Sequence, residues 1–232
     1  LSSQTLTSSL LGDLLESMRR GQGPLSRSAK VRLRTSYPVA RESLLSGVVG
    51  RRIYPLSLEG TLNRLDQLHT TLGTTVSYSS TCPCSLALAR DILFSHFRAK
   101  SNDAEKISLT DALDWLAEDG LLPVPHSQRS SARVNVQIDP WAEPLSPLEL
   151  IDLVEETLGN PVQAAVKRVD EQEFARKSGA HPLFCEDAAR QVAAALAREP
   201  RILAHHVRIE HHESLHPHDA VAYASSPNWV RS

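Results

Sequence analysis

Residues 74–85 read TTVSYSSTCPCS, and this stretch places two thiols where a β-strand gives way to a helix. The β-branched character of residues 74–81 predicts the strand, and the pattern from Ser85 onward predicts the helix. Backbone N–H groups and the helix dipole stabilise a thiolate at a helix N-terminus. The C-x-C spacing of Cys82 and Cys84 argues against thioredoxin-type redox chemistry and against a zinc knuckle. Packing, metal ligation and nucleophilic catalysis therefore all stay open for these thiols.

The composition is that of an ordinary globular protein with one large domain or two small ones. The chain has 232 residues, of which 41% are hydrophobic and 22% charged. A net charge of −2 argues against a nucleic-acid-binding surface. The sequence also lacks an apolar run long enough for a membrane span, so no membrane partner is expected. Three cysteines are too few for a disulfide scaffold, which favours a reducing, cytoplasmic location.

Helical and strand patterns intermix along the chain. Helices are predicted over residues 1–20, 85–100, 109–118, 144–158 and 184–198, strands over residues 29–37, 47–58, 73–81, 132–138, 162–169 and 201–212, with a further short strand from Ala220, and a loop or weak helix over residues 60–72. Pro38 is expected to end the first strand. The strands alternate between apolar and polar residues, which points to antiparallel sheets with helices on one face. The predicted class is therefore α+β.

The first predicted strand carries a row of cations. Lys30, Arg32 and Arg34 alternate with apolar or β-branched residues, so they share one face of the strand. A solvated face is the simplest interpretation of such a row. Contact with a polyphosphate and contact with a neighbouring subunit stay open as alternatives.

A second concentration of ligands lies near the end of the chain, where residues 207–218 read VRIEHHESLHPH. Six of the ten histidines lie in or just before this segment. If the strand continues, Glu213 points to the same side as Ile209, and in an extended chain His216 and His218 share a side. An inward carboxylate followed by two imidazoles suits a metal site or a proton relay. A polar rim without a role is the alternative.

Two further clusters combine residue types that bind ligands. His126 and Arg129 lie in a proline-flanked loop, where they suit a metal or ligand contact and an anion contact, or simply form a surface loop. Glu186 and Asp187 begin a helix, where acidic residues commonly face the helix dipole. A carboxylate there can also accept two N–H donors from a guanine-like edge. Cys185 has apolar neighbours and is expected in the core.

Five motifs follow one another in a recognisable order. They read SSTCPCS at residues 79–85, HSQRS at 126–130, KRVDE at 167–171, FCED at 184–187 and ESLHPH at 213–218. In this order they resemble the type IB GTP cyclohydrolases, and the resemblance spans about residues 47–224. It implies a tunnelling fold (T-fold), with antiparallel sheets backed by helices, two modules per chain, and a homotetramer with sites at subunit interfaces. It also implies that GTP and water are converted to 7,8-dihydroneopterin triphosphate and formate, the first step of tetrahydrofolate or related pterin synthesis.

The resemblance also implies roles for residues at matching positions. The metal ligands for a single Zn²⁺ or Mn²⁺ would be Cys82, which is therefore also catalytic, together with His126 and Glu171. The proton-transfer and water-positioning set would be Glu213, His216 and His218. Glu186 would bind the guanine edge. The candidates for the triphosphate are Arg129, Lys167 and Arg168.

The chain departs from the family pattern in its middle. Family members place the His motif soon after the Cys motif, whereas here the predicted helices of residues 85–120 intervene. We interpret them as an insertion that forms a helical hairpin over the sheet. The expected organisation is an N-terminal T-fold module over residues 1–72 and a C-terminal module over residues 73–232. The alternatives are a T-fold nitrile reductase, with a Cys nucleophile and a Glu anchor, or a non-catalytic metal-binding or structural T-fold protein.

Overall fold

Six antiparallel strands form one sheet, and helices pack on it. The computed structural model describes residues 8–102, 106–120 and 123–229. Within them the strands lie side by side in chain order: β1 (Ala29–Glu42), β2 (Val49–Leu62), β3 (Leu68–Thr81), β4 (Ser127–Ile138), β5 (Ile202–His211) and β6 (Ala220–Ser225). The helices are α1 (Ser8–Gly21), α2 (Pro83–Lys100), α3 (Leu109–Glu118), α4 (Pro147–Leu158), α5 (Arg168–Ala180) and α6 (Cys185–Ala197). The predicted α+β class is confirmed.

The main core lies on one face of the sheet. Alternate residues of β3, β4 and β5 point into it, among them Val76, Val134 and Val207, all fully buried. Helices α4 and α6 cover this face with apolar residues such as Ile151 and Val192. Because successive side chains of a strand point to opposite faces, the intervening residues form a second, polar face. No described helix is long and apolar enough to cross a bilayer.

Helix α1 packs against β1 and β2 through a smaller apolar cluster. Leu11 and Leu15 are fully buried there against Leu62. A Cβ atom at Gly60 would lie 2.6 Å from the Leu11 side chain, so glycine permits this close approach. The sequence pattern predicts that this helix begins at residue 1. Its first seven residues lie outside the described part of the chain, and the remainder is confirmed.

Two predictions about the first three strands are wrong. Pro38 does not end the first strand, because β1 pairs with only one described strand and a missing N–H is tolerated at a sheet edge. The predicted loop or weak helix over residues 60–72 is instead the end of β2, a tight turn and the start of β3. The Asn63 side chain organises this turn by accepting hydrogen bonds from the N–H groups of Leu65 and Gln67, at 2.9 and 3.0 Å.

The strand predicted over residues 162–169 is also wrong. Only Pro161 forms an isolated bridge, to Tyr78, and α5 already begins at Arg168. The physical reason is that Asp170 caps the N-terminus of a helix here, and the strand-like periodicity of residues 162–169 gives no sign of this cap. The Asp170 carboxylate accepts a hydrogen bond from the Lys167 N–H at 2.8 Å and so starts a helix there.

Residues 85–120 contain most of α2 and all of α3, and these helices contact each other rather than covering the sheet. The rings of Phe97 and Trp115 meet edge to face with centroids 4.7 Å apart. Outward side chains such as Leu88 and Leu113 are 63% and 54% exposed. The β3–β4 pairing on either side of the hairpin is continuous.

The predicted module boundary falls inside an element. Residue 72 lies within β3, so residues on both sides of it pair in the same sheet. The division of the chain into modules 1–72 and 73–232 stays a prediction.

Candidate functional site

Most of the predicted site residues lie at one end of the sheet, where β3 and β5 finish and where β4, α2 and α6 begin. Antiparallel pairing brings these termini together. Three backbone hydrogen bonds join them: Cys82 N–H to the His126 carbonyl at 3.2 Å, Leu183 N–H to the Thr81 carbonyl at 3.1 Å, and His212 N–H to the Arg129 carbonyl at 3.3 Å. The sheet end therefore unites four of the five sequence motifs.

His126 and Glu213 form the central side-chain pair of this site. The His126 Nε2 and Glu213 Oε2 atoms are 3.6 Å apart, and both side chains are largely buried. Both atoms are fully enclosed and have no hydrogen-bond partner in the described structure. The Ser85 hydroxyl accepts a hydrogen bond from the His126 N–H at 3.1 Å and fixes the loop. Because unpaired buried polar atoms are costly, this pair is suited to a cation, a substrate or an exchanged proton.

Cys82 occupies the junction that the sequence predicts. It is the N-cap residue of α2, follows the last residue of β3, and is followed by Pro83 at the first helical turn. Its thiol is free and half-buried, whereas the Cys84 thiol is free and exposed. The two thiols therefore differ in their surroundings. Cys82 lies beside the His126 loop, and Cys84 faces solvent.

The donor types at the sheet end fit a divalent metal, although a complete ligand set is not in place. Sulfur, imidazole and carboxylate are the donors that zinc prefers. Yet no three His, Cys, Asp or Glu side chains among the described residues converge closely enough to hold a metal. Glu171 is exposed in the first turn of α5. The ligand set of Cys82, His126 and Glu171 stays a prediction.

A buried carboxylate that the sequence analysis missed anchors the start of α5. Asp170 accepts hydrogen bonds from the Leu45 and Ser46 N–H groups at 2.8 and 2.9 Å. It also accepts from the Ser46 hydroxyl at 2.6 Å and from the Lys167 N–H at 2.8 Å. Burial raises the pKa of Asp170, but these hydrogen bonds outweigh it and hold the pKa well below its ordinary value. The clamp fixes the helical turn that carries Glu171.

Glu186 stands at the start of α6 and is oriented by its neighbour. The Cys185 thiol donates a hydrogen bond to Glu186 Oε2 at 3.2 Å. The backbone N–H of Glu186 and this thiol together lower the pKa of the carboxyl. Burial raises the pKa of Cys185 to about 11, so the thiol stays protonated and remains a donor. Glu186 is thus an ionised carboxylate held in one orientation, as an anchor for N–H donors requires.

A second buried pair lies beneath Glu186 and was also missed. The Tyr78 hydroxyl and His211 Nε2 are 2.8 Å apart, and both residues are almost completely buried. Burial lowers the pKa of His211 to about 4, an effect that the charge of Glu186 opposes and that of His212 reinforces. The parity of β5 provides a sequence signal, since His211 shares the inward side with Ile209.

Protonation of His211 is expected to make the fold sensitive to acid. The unfolded chain binds this proton below its ordinary pKa of 6.5, whereas the folded protein binds it only near pH 4. The unfolded state therefore holds more protons in that window, and the free energy of unfolding decreases as the pH falls. His211 accounts for up to about 3 kcal/mol of that decrease.

Urea unfolding at several pH values measures this effect. We expect His211→Gln to flatten the dependence of stability on pH between 6.5 and 4. His96→Gln on the exposed surface of α2 is the matched control and should keep the wild-type slope. Equal slopes for wild type and His211→Gln would show that His211 does not control acid stability.

His216 and His218 lie in the loop between β5 and β6. Their rings stack with centroids 5.5 Å apart, and both are exposed to solvent. Asp219 shapes this loop, because it accepts a hydrogen bond from the Glu213 N–H at 3.1 Å and contacts His212 Nδ1 at 3.1 Å. The predicted same-side arrangement of the two rings is present, although the loop is not an extended strand.

The three predicted phosphate ligands are exposed cations. Arg129 lies in β4 near the site, and Lys167 and Arg168 begin α5. Within the described residues their side chains form no ion pair with an acid. They are therefore available to an anion, and their role stays a prediction.

The chain is similar in sequence to known proteins. A family model described as "Type I GTP cyclohydrolase folE2" matches residues 1–222. A "GTP cyclohydrolase FolE2" of Pseudoalteromonas atlantica is 41% identical over 223 residues, which are 96% of this chain and 72% of that protein. One of Pseudomonas putida is 40% identical over 223 residues, covering 96% and 73%. A "GTP cyclohydrolase FolE2 2" of Burkholderia cenocepacia is 45% identical over 201 residues, covering 86% and 63%.

Proposed function

The chain belongs to the type I GTP cyclohydrolase folE2 family, and from that membership we propose that it converts GTP and water to 7,8-dihydroneopterin triphosphate and formate. This reaction is the first step of tetrahydrofolate synthesis. Sequence identity of 40–45% to curated GTP cyclohydrolases supports the proposal. The enclosed, unpartnered pair of His126 and Glu213 beside Cys82 is the structural observation that carries it.

The reaction requires proton transfers that this end of the sheet can perform. Water adds to C8 of the guanine imidazole ring and opens it to an N-formyl group, which a second water hydrolyses to formate and a free amine. The ribose then rearranges and condenses with that amine, with loss of one water, so that one water is consumed overall. Glu213 is placed to take a proton from the attacking water, because its Oε2 has no competing hydrogen bond. His216 and His218 lie in the same loop as Glu213 and are the proposed groups that return protons to the ring nitrogens.

A single divalent metal, Zn²⁺ or Mn²⁺, completes the proposed site. When bound, such an ion lowers the pKa of its water to about 7 and so supplies a nucleophile at neutral pH. Cys82, His126 and Glu171 are the proposed ligands. Mixed sulfur, nitrogen and oxygen donors and the unpartnered His126 Nε2 support this assignment.

Glu186 is the proposed anchor for guanine. A guanine edge presents two adjacent N–H donors, and an ionised carboxylate accepts both. The Cys185 thiol occupies only one position on Oε2, which leaves the remaining acceptor sites of Glu186 for the substrate. Arg129, Lys167 and Arg168 are the proposed triphosphate contacts.

Removal of the Glu186 carboxylate is expected to weaken GTP binding. Glu186→Ala should raise the Kd for GTP by about 10- to 100-fold, the effect of losing charge-assisted hydrogen bonds. Calorimetric titration with GTP measures the change. Asp187→Ala is the matched control, because Asp187 is the adjacent acid and pairs with Arg190. An unchanged Kd in Glu186→Ala would remove Glu186 from the anchor role.

We also propose that the chain adopts a T-fold and assembles into a homotetramer with its sites at subunit interfaces. An antiparallel sheet backed by helices is consistent with a T-fold module. Exposed site residues such as Glu171, His216 and His218 leave room for a partner subunit to complete the site. A cytoplasmic location is supported by three cysteines that are all free.

A turnover assay with metal analysis tests the function. Purified protein should release formate from GTP and contain about one divalent ion per site, and a chelator should abolish the release. NADPH-dependent reduction of a nitrile without formate release would instead identify a T-fold nitrile reductase. A bound metal without either reaction would indicate a non-catalytic metal-binding protein.

A further inference from the structure

A separate cavity lies on the polar face of the sheet. It has a volume of about 550 Å³, and its lining includes Arg34, Ser57, Thr75, Arg133, Asn135 and Trp229. All of these residues lie in strands β1 to β4 except Trp229, which follows β6. Gly73, also in the lining, is eight residues from Thr81, the last residue of β3, which corresponds to about 27 Å along the strand. The cavity is therefore distinct from the site at the sheet end.

Strand register explains how the polar floor forms. Arg34 pairs with Ser57, Ser57 with Gly73, and Gly73 with Asn135, so four neighbouring strands contribute one row. A Cβ atom at Gly73 would lie 2.5 Å from Asn135 Oδ1 and 2.6 Å from Ser57 Oγ. The absence of a side chain at Gly73 lets these polar groups converge above the backbone.

Two guanidinium groups at this cavity are free of partners. Lys30 and Arg32 both form ion pairs with the buried carboxylate of Glu59, and these pairs neutralise the charge of that carboxylate. Arg34 and Arg133 have no ion pair or hydrogen bond with any described residue. In the cationic row of β1, Lys30 and Arg32 are thus neutralised, whereas Arg34 is not. Arg133 of β4 is the second cation at the cavity without an acidic partner among the described residues.

The neutral groups at the cavity are also hydrogen-bond donors. Trp229 Nε1 is enclosed and has no partner among the described residues. An indole N–H only donates, and the Ser57 hydroxyl and the Asn135 amide can both donate. A ligand with several oxygen acceptors and negative charge satisfies all of these groups, and phosphate oxygens pair well with arginine.

We propose that this cavity is a second anion site, which binds the diphosphate group of a small molecule. Arg34 and Arg133 supply the charge from opposite sides, while Ser57, Asn135 and Trp229 supply neutral donors. The shared chemistry is a diphosphate, either free or attached to a nucleoside. Neither the guanine anchor nor the predicted triphosphate contacts take part, so the site does not depend on the proposed reaction.

Calorimetry with inorganic pyrophosphate and with ADP tests the proposal on the whole protein. Binding of both probes assigns a nucleotide diphosphate, and binding of pyrophosphate alone assigns a free diphosphate. The double variant Arg34→Gln/Arg133→Gln should raise the Kd at least 10-fold, since charged hydrogen bonds contribute about that much each. Trp229→Phe, which keeps the charge, should raise it about 3- to 10-fold.

Controls separate a built site from general charge attraction. Arg27→Gln/Arg64→Gln removes the same charge from exposed positions outside the cavity and should leave the Kd within about 2-fold of wild type. Formate release from GTP should be unchanged in Arg34→Gln/Arg133→Gln. Absence of binding to wild type, or equal losses in the two double variants, would overturn the proposal.

Discussion

Replacing Cys82 with alanine is expected to abolish formate release while the protein remains folded. Loss of an outer partner of a metal ligand typically costs 10- to 100-fold, so loss of the proposed ligand itself should cost on the order of 10³-fold or more. The side chain is only half-buried and has no role in capping α2, so its removal leaves little cavity and breaks no hydrogen bond. Formate release under saturating GTP is the measurement.

Cys84→Ala is the matched control for this experiment. Cys84 is two residues away and exposed, so its substitution should leave turnover within about 2-fold of wild type. Metal content and melting temperature should be measured for both variants. We expect Cys82→Ala to lose bound metal with little change in melting temperature. Wild-type turnover in Cys82→Ala would refute the assignment of Cys82 to the catalytic metal site.

Asp170→Ala should produce the largest loss of stability among the acidic residues discussed. The substitution leaves the Leu45, Ser46 and Lys167 N–H groups without their acceptor in a buried position. A fall of roughly 6–12 °C in melting temperature is expected for a chain of this size. Because α5 would no longer be tied to the β1–β2 turn, metal affinity should fall as well if Glu171 is a ligand.

Thermal unfolding and chelator competition separate these two effects. Asp170→Asn keeps the shape of the side chain and should recover part of the melting temperature, because one amide oxygen still accepts hydrogen bonds. Asp13→Ala, at an exposed position of α1, is the control and should change the melting temperature by less than about 2 °C. A melting temperature for Asp170→Ala equal to that of wild type would show that the clamp does not stabilise the fold.

Much of the candidate site could be predicted because its residues lie at element boundaries. Cys82 follows a β-branched strand and precedes a helix, and both patterns are local. Glu213 continues the parity of β5, and this parity correctly places it inside, next to His126. The order of five motifs then identifies the family, which no single motif does.

The missed residues are those whose roles depend on distant partners. Asp170 resembles an ordinary acidic residue in a first helical turn, yet its partner Leu45 is 125 residues away. His211 and Tyr78 are 133 residues apart, and only the sheet makes them a buried pair. Hydrogen-bond partners so far apart leave no spacing pattern in the sequence.

By itself, the sequence determined the α+β class, most helices and strands, the thiol-bearing junction and the family. These features depend on side-chain periodicity and on short motifs, which act between neighbours along the chain. Only the tertiary structure decided that Pro38 stays within an edge strand, that α2 and α3 pack on each other, and that Arg34 and Arg133 share a cavity. These outcomes depend on strand order and register, which are set by packing of the whole sheet against its helices.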